Sequence, residues 1–150
     1  MRRVFALFLV VSLAGVGLGA PPERTHDITP DDYASVNTIT EIAVSPDGKQ
    51  VAYCLATWDK KGDNRRTDLW VVDTDGKGKP KQFTKDRANE RHPKWSADGK
   101  SIYALANRFK QGEKAPLNGK TQVWKVSVEG GDPVAVTTVG AGITGYDYAP

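Results

Sequence analysis

The chain carries side chains that could serve in acyl transfer, but none stands in a setting that would activate it. A hydrolytic serine usually sits on a strained turn of the pattern Gly-x-Ser-x-Gly, with a histidine within hydrogen-bond reach. None of the six serines stands in this pattern, and neither His26 nor His92 neighbours one. The serines are Ser12, Ser35, Ser45, Ser96, Ser101 and Ser127. We therefore predict no catalytic residue in these 150 positions.

The sequence also contains no motif that would bind a metal or a cofactor. The single cysteine, Cys54, and two histidines exclude a Cys/His zinc module and a disulfide framework. The run Asp73-Thr74-Asp75-Gly76 begins like a calcium loop but lacks the third acid and the distal glutamate. We predict an ordinary turn there, a buried structural role for Cys54, and neither a metal nor a cofactor.

Two arginines are the best candidates for ligand binding. Arg65 and Arg66 close the charged segment 59–66, and a guanidinium can hold a peptide carboxylate through two hydrogen bonds. The alternative is a solvated hairpin connection, since acids and bases nearly balance in this segment. Trp70 and Trp124 recur at matching places, which is more typical of packing between repeats than of ligand stacking.

Composition and charge narrow the class of protein. With 39% hydrophobic and 26% charged residues, the chain has the balance of a globular protein. Its formal net charge is +3, and Arg2 and Arg3 contribute two of the positive charges. Nothing in this balance indicates nucleic acid or an anionic membrane surface as a partner.

The first twenty residues form a three-part pattern typical of a secretory signal peptide. Arg2 and Arg3 are followed by the apolar run 4–14 and by small residues over 15–20, just before Pro21. The run is shorter than the ~20 residues of a membrane-spanning helix. We expect residues 1–20 to be removed and the protein to act outside the cytoplasm, periplasmic or extracellular. An uncleaved N-terminal anchor is the alternative.

The rest of the chain is repetitive. Val44 to Lys49 (VSPDGK) matches Trp95 to Lys100 (WSADGK) at an offset of 51, and residues 69–72 match 123–126 at an offset of 54. Each copy is predicted to form four short strands. These lie near 42–45, 51–56, 69–73 and 81–84 in the first copy, and near 93–96, 102–106, 123–127 and 134–137 in the second.

The second strand of each copy, 51–56 and 102–106, is apolar without alternation, so it is predicted to be buried on both faces of its sheet. Repeated antiparallel sheets covered on both faces are typical of β-propeller blades, with a β-sandwich as the alternative. Thr29 with Pro30 predicts a short helix near 30–35. The fold class is thus all-β, a β-propeller fragment of about two four-stranded blades and the start of a third. The divisions are 1–20 signal peptide, 21–40 lead-in, 41–90 first blade, 91–142 second blade and 143–150 start of the third.

These segments resemble the N-terminal region of secreted serine peptidases of the prolyl oligopeptidase family, in the acylaminoacyl-peptidase and dipeptidyl-peptidase-like branch. The unit Ser-Pro-Asp-Gly-Lys is also shared with other periplasmic propellers, including the Tol-system propeller. The segments that carry the resemblance are Ile28-Thr29-Pro30-Asp31-Asp32, Ala43 to Lys49 (AVSPDGK), Arg65 to Val72 (RRTDLWVV) and Pro93 to Lys100 (PKWSADGK).

The resemblance implies a propeller that caps an α/β-hydrolase domain with a Ser-Asp-His triad and admits short peptides to it. We therefore expect the chain to be the N-terminal, substrate-gating part of a longer exported peptidase, with peptide substrates reached through the catalytic domain. The first alternative is a non-catalytic periplasmic propeller that binds a partner. A propeller with an enzyme site on its own axis is the third possibility.

Overall fold

The structure is a computed structural model that describes residues 26–148, so the predicted signal peptide lies outside the described residues. It contains one short helix and eight strands in two antiparallel sheets. The first sheet has the order β1-β2-β3-β4 and the second β5-β6-β7-β8. The elements are α1 Pro30–Ser35, β1 Thr38–Val44, β2 Gln50–Asp59, β3 Asn64–Asp73, β4 Lys81–Gln82, β5 Arg91–Trp95, β6 Ser101–Ala106, β7 Gln122–Ser127 and β8 Val134–Ala135.

This architecture confirms the predicted fold class: two four-stranded blades of a propeller follow a short helix. Each sheet is a simple meander in which every strand pairs with its neighbour in sequence. The two sheets are equivalent, so residues that match in the repeat occupy matching places. No helix within residues 26–148 has the length and hydrophobicity needed to cross a bilayer.

The strand boundaries differ from the prediction at one end of the first sheet. β2 and β3 remain paired out to Asp59 and Asn64, whereas the prediction ended the second strand at Ala56 and began the third at Leu69. The predicted loop is therefore mostly a two-stranded ribbon closed by a tight turn. Backbone hydrogen bonds propagate a hairpin through polar residues that hydrophobic patterning assigns to a loop.

The repeated turns are built by a serine and an aspartate in each copy. The Ser45 hydroxyl lies 2.7 Å from the Asp47 carboxylate and accepts the backbone N–H of Gln50 at 2.9 Å. In the second copy, Ser96 makes the equivalent contact with Asp98 at 2.6 Å. Both serines therefore have a structural role, and their hydroxyls are engaged with the turn.

The two sheets stack face to face through an apolar layer. The first sheet contributes small and branched side chains from its inner strands, and the second covers them with bulkier ones. Members of this layer are Ala52, Cys54, Leu69, Val71, Trp95, Ile102 and Val126. The Trp95 indole N–H also donates to the carbonyl of Ala43 at 2.9 Å, which fixes one sheet against the other. Burial raises the pKa of Cys54 to about 12, so its thiol is a protonated core group as predicted.

The last described segment covers the opposite face of the second sheet. The Tyr148 ring stacks on Tyr103 with 4.7 Å between centroids, and the Tyr146 hydroxyl donates to the carbonyl of His92 at 2.7 Å. Residues 143–148 form no strand, so the first strand of a third blade stays a prediction. On the first sheet, the corresponding outer face leaves Ile42 and Val44 exposed.

The stacking layer predicts where stability resides. Leu69 is 0% exposed at the centre of the layer, and Leu69→Ala should lower the free energy of unfolding by about 2–5 kcal/mol because it leaves a cavity. Val134→Ala, at an exposed position, should change it by less than about 0.5 kcal/mol. Urea unfolding followed by circular dichroism measures both. Equal effects of the two substitutions would contradict the stacked arrangement.

Candidate functional site

One end of the two stacked sheets collects most of the longer loops. Thr38, where β1 begins, pairs with Ala56 near the end of β2, so the chain reaches the first sheet at this end. The β2–β3 turn, the connector from β4 to β5 over 83–90, and the β6–β7 loop over 107–121 all lie here. We call this the groove end.

The connector at the groove end is fastened to both sheets by hydrogen bonds. The backbone N–H of Glu90 donates to the carbonyl of Thr67 at 2.9 Å, and the N–H of Thr67 donates to the Asn89 side chain at 3.0 Å. The N–H of Asn89 donates at 2.9 Å to the side chain of Asn107, the first residue after β6 of the second sheet. The connector is therefore held in a defined position between the sheets by hydrogen bonds to protein groups.

A buried ion pair locks the connector to the second sheet. The Arg108 side chain, 8% exposed, donates to the Glu90 carboxylate at 2.7 Å, and Glu90 is only 1% exposed. The same guanidinium pairs with the Asp86 carboxylate and lies over the Trp124 ring, 5.0 Å from its centroid. Oε2 of Glu90 and Nε of Arg108 are buried without a hydrogen-bond partner among the described residues.

Burial shifts the pKa values of both members of this pair. Loss of hydration raises the pKa of Glu90 to about 8, with a further upward contribution from the charge of Asp68. Loss of hydration also lowers the pKa of Arg108 to about 10, which Asp132 and Asp68 oppose. Arg108 is thus charged at neutral pH, where Glu90 is mostly protonated and accepts a charged hydrogen bond from it. The contact is a fully ionised pair above about pH 8.

Beside this pair lies a cleft of about 630 Å³, which we call the Trp124 cleft. Its walls come from the connector, the β6–β7 loop and the turn before β8. Apolar walls are provided by Phe109, Pro116, Leu117, Trp124 and Pro133, and charged groups by Asp86, Arg87, Arg108, Lys110 and Asp132. An apolar cavity with a few charged groups is the usual form of a ligand site.

A second, smaller pocket of about 350 Å³ lies on the other side of the connector. We call it the Arg66 pocket. Its lining is polar: Asp59, Lys61, Gly62, Asn64, Arg66, Arg87 and Asn89. Arg87 lines both cavities, and we call the two together the groove.

The two arginines singled out from the sequence have different surroundings. Arg66 lines the Arg66 pocket, where its guanidinium approaches the Asp59 carboxylate at 3.5 Å and donates to the carbonyl of Asp86. Arg65 donates instead to the carbonyl of Val36 at 3.1 Å and lies over the Tyr33 ring, so it fastens the helical lead-in. The structure brings only Arg66 to the groove.

The remaining candidates have local roles. The His26 imidazole lies 3.6 Å from the Asp32 carboxylate in the lead-in, and the backbone of His92 bridges Glu41 and Tyr146. Trp124 packs in a buried cluster with Ala88 and Ala106 and also forms a wall of the cleft, so its packing between repeats stays a prediction. Within residues 26–148, no group of three or more His, Cys, Asp or Glu residues is placed to hold a metal ion.

Sequence reasoning missed Arg108 and Glu90. Each directly flanks an apolar or aromatic-containing strand, Arg108 two residues after β6 and Glu90 one residue before β5. Charge beside a buried strand was the available signal, but the sequence separation of 18 gives no motif.

No family model matches the sequence. Relatives named dipeptidyl-peptidase 5 match it from Porphyromonas gingivalis, at 29% identity over 152 residues, and from Porphyromonas endodontalis, at 30% over 157 residues. The matches support a peptidase-family propeller region. Each covers 99% of this chain and 21% of the relative, so the chain spans about a fifth of their length. A solved AtxE2 isopeptidase variant with Astexin3-dC4 bound shares the fold, with a TM-score of 0.53 and 19% identity over 75% of this chain and 20% of that one.

The pKa of Glu90 predicts how the stability of this propeller region depends on pH. Between the ordinary value of 4.5 and about 8, the unfolded chain loses the Glu90 proton while the folded chain keeps it. The free energy of unfolding should therefore fall as pH rises through this range, by up to about 1.4 kcal/mol per pH unit. Glu90→Gln should remove that fall. Urea unfolding of both proteins from pH 5 to 8.5 tests this, and a difference that stays constant with pH would contradict it.

The ion pair also predicts an asymmetry between two arginines of the groove. Arg108→Met leaves Glu90 buried without its cation and should cost about 3–5 kcal/mol of unfolding free energy. Arg87→Gln, at an exposed position, should cost less than about 0.5 kcal/mol. Chemical denaturation at pH 8.5 compares them. Similar losses for the two variants would show that Arg108 has no special structural role.

Proposed function

We propose that this chain is the substrate-gating propeller part of an exported serine peptidase of the prolyl oligopeptidase family that hydrolyses short peptides. The observation that carries the proposal is the match of nearly the whole chain to two dipeptidyl-peptidase 5 relatives. The stacked four-stranded blades support it, since they are the architecture that such a gating part requires.

The groove end is the side on which we place substrate. Residues 26–37 approach the first sheet from this end, and Arg65 fastens them there through Val36 and Tyr33. A catalytic domain packed against this end would face the Trp124 cleft and the Arg66 pocket. Peptides passing between the two parts would then meet the groove before they reach the reacting serine.

The residues present in this chain indicate which steps it would perform and which the catalytic domain would perform. The catalytic domain would supply the serine nucleophile, its histidine base and the orienting aspartate. This chain's residues would act on the substrate away from the scissile bond, by binding and orienting it and by limiting the size of what enters. Such contacts lower the entropic cost of bringing peptide and serine together.

Export is part of the proposal and rests on residues 1–20, with Arg2 and Arg3 ahead of an apolar run and small residues. The buried, protonated thiol of Cys54 is compatible with an oxidising compartment, because it is shielded from disulfide exchange.

A non-catalytic propeller that binds a periplasmic partner is the second candidate. It is favoured by one observation: both cavities of the groove are lined by residues of this chain, so ligand binding needs no further domain.

Expression of the complete reading frame with its own N-terminus distinguishes the two. The peptidase proposal predicts hydrolysis of dipeptidyl p-nitroanilides, loss of that activity on labelling with a fluorophosphonate, and an exported product whose sequence starts at Ala20 or Pro21. A frame without a Gly-x-Ser-x-Gly motif, and a product with no hydrolytic activity, would sink the peptidase proposal in favour of the binding protein.

A further inference from the structure

We infer that the groove binds peptides in which a carboxylate stands next to an apolar or aromatic side chain. The carboxylate occupies the Arg66 pocket and the side chain enters the Trp124 cleft, with Arg87 between them. This inference rests on the proposed function for its peptide class, and it assigns the ligand chemistry of that groove.

The Arg66 pocket has an excess of positive charge. Lys61, Arg66 and Arg87 line it, against a single acid, Asp59. The Asp59 carboxylate is already engaged by the backbone N–H of Lys61 at 3.0 Å and by Arg66 at 3.5 Å. Within residues 26–148, Lys61 and Arg87 have no ion-pair partner, so their charges are available to an anion.

Amide groups in the same pocket suit a carboxylate. The Oδ1 of Asn89 accepts the backbone N–H of Thr67, which directs this side chain and leaves its NH₂ group as a donor. Asn64 adds a second side-chain amide. Charged and neutral donors around one small cavity satisfy the several lone pairs of a carboxylate, and a guanidinium does so with two hydrogen bonds.

The Trp124 cleft provides the apolar half of the site in a preformed state. The Trp124 indole N–H donates to the carbonyl of Ala106 at 3.1 Å, and the Arg108 guanidinium covers part of its ring. The loop wall is braced by the hydrogen bond from Lys110 N–H to the carbonyl of Leu117 at 2.8 Å. Phe109 stands at this wall with 70% of its surface exposed, an aromatic ring free for contact.

Arg87 lines both cavities, so it links the binding of a carboxylate to the binding of an apolar side chain. A carboxylate on Arg87 places the adjoining side chain of a short peptide at the mouth of the cleft. A simple anion would use only the Arg66 pocket, and a neutral peptide only the Trp124 cleft. The groove therefore favours ligands that carry both groups, whether the carboxylate is a peptide C-terminus or an Asp or Glu side chain.

Isothermal titration of the purified chain with matched peptides tests the inference. The probes are N-acetyl-Phe-Ala as the free acid, N-acetyl-Phe-Glu amide, and the neutral N-acetyl-Phe-Ala amide, with N-acetyl-Ala-Ala and inorganic phosphate as controls. At least one carboxylate peptide should bind about tenfold or more tightly than the neutral amide and than N-acetyl-Ala-Ala. The better of the two carboxylate probes identifies the source of the carboxylate.

Matched variants separate a specific site from general charge. Arg87→Gln should weaken binding of the preferred peptide about tenfold, and Arg87→Lys should restore part of it. Lys49→Gln, the same change of charge at the opposite end of the sheets, should leave binding unchanged. Each variant's urea midpoint shows that it is folded.

Three results would overturn the inference: no heat of binding for any peptide up to millimolar concentration, equal affinity for acid and amide forms, or phosphate binding as tight as the peptides. The test needs no hydrolysis. Peptide binding without peptidase activity in the complete protein would therefore refute the proposed function alone, and peptidase activity without binding to the groove would refute this inference alone.

Discussion

Burying a charged side chain is costly unless an opposite charge lies beside it. At the groove end, the structure depends on one such buried pair. Arg108 and Glu90 are both almost fully buried and 2.7 Å apart, one on the β6–β7 loop and one on the connector between the sheets. Removing either partner would strand the other in a site of low polarity, which costs far more than the pair itself contributes. The connector, the loop and the Trp124 cleft between them therefore depend on this contact.

Different interactions stabilise the layer between the sheets and the groove end. Between the sheets, small and branched apolar side chains supply the stacking that makes a blade. At the groove end, hydrogen bonds and ion pairs are added to the apolar cluster around Trp124, because loops leave backbone and side-chain polar groups that must be satisfied. The raised pKa of Glu90 follows from this arrangement and makes the groove end, not the stacked layer, the part that responds to pH near neutrality. A ligand site built there can be rigid without any strain in the blades.

The blades were predictable from the sequence because repetition and burial act locally. The matched Ser-x-Asp-Gly turns, the continuously apolar second strands and the Thr29-Pro30 helix start each predict their own element. The groove was not predictable in the same way. Which arginine faces the Arg66 pocket depends on β3 beginning at Asn64, since neighbouring residues of a strand point to opposite faces. The pairing of Arg108 with Glu90 depends on the path of the connector, which no spacing encodes. A resemblance could indicate the fold, but only the packed structure could reveal the pair.

A double-mutant cycle on this pair tests the account most directly. The unfolding free energies of the parent chain, Glu90→Leu, Arg108→Met and the double variant are measured under one set of conditions at pH 8.5. If the buried pair organises the groove end, each single variant loses several kcal/mol and the double variant loses much less than their sum, with a coupling energy above about 2 kcal/mol. Losses that add to within about 0.5 kcal/mol would show that Arg108 and Glu90 act independently, and would contradict the account.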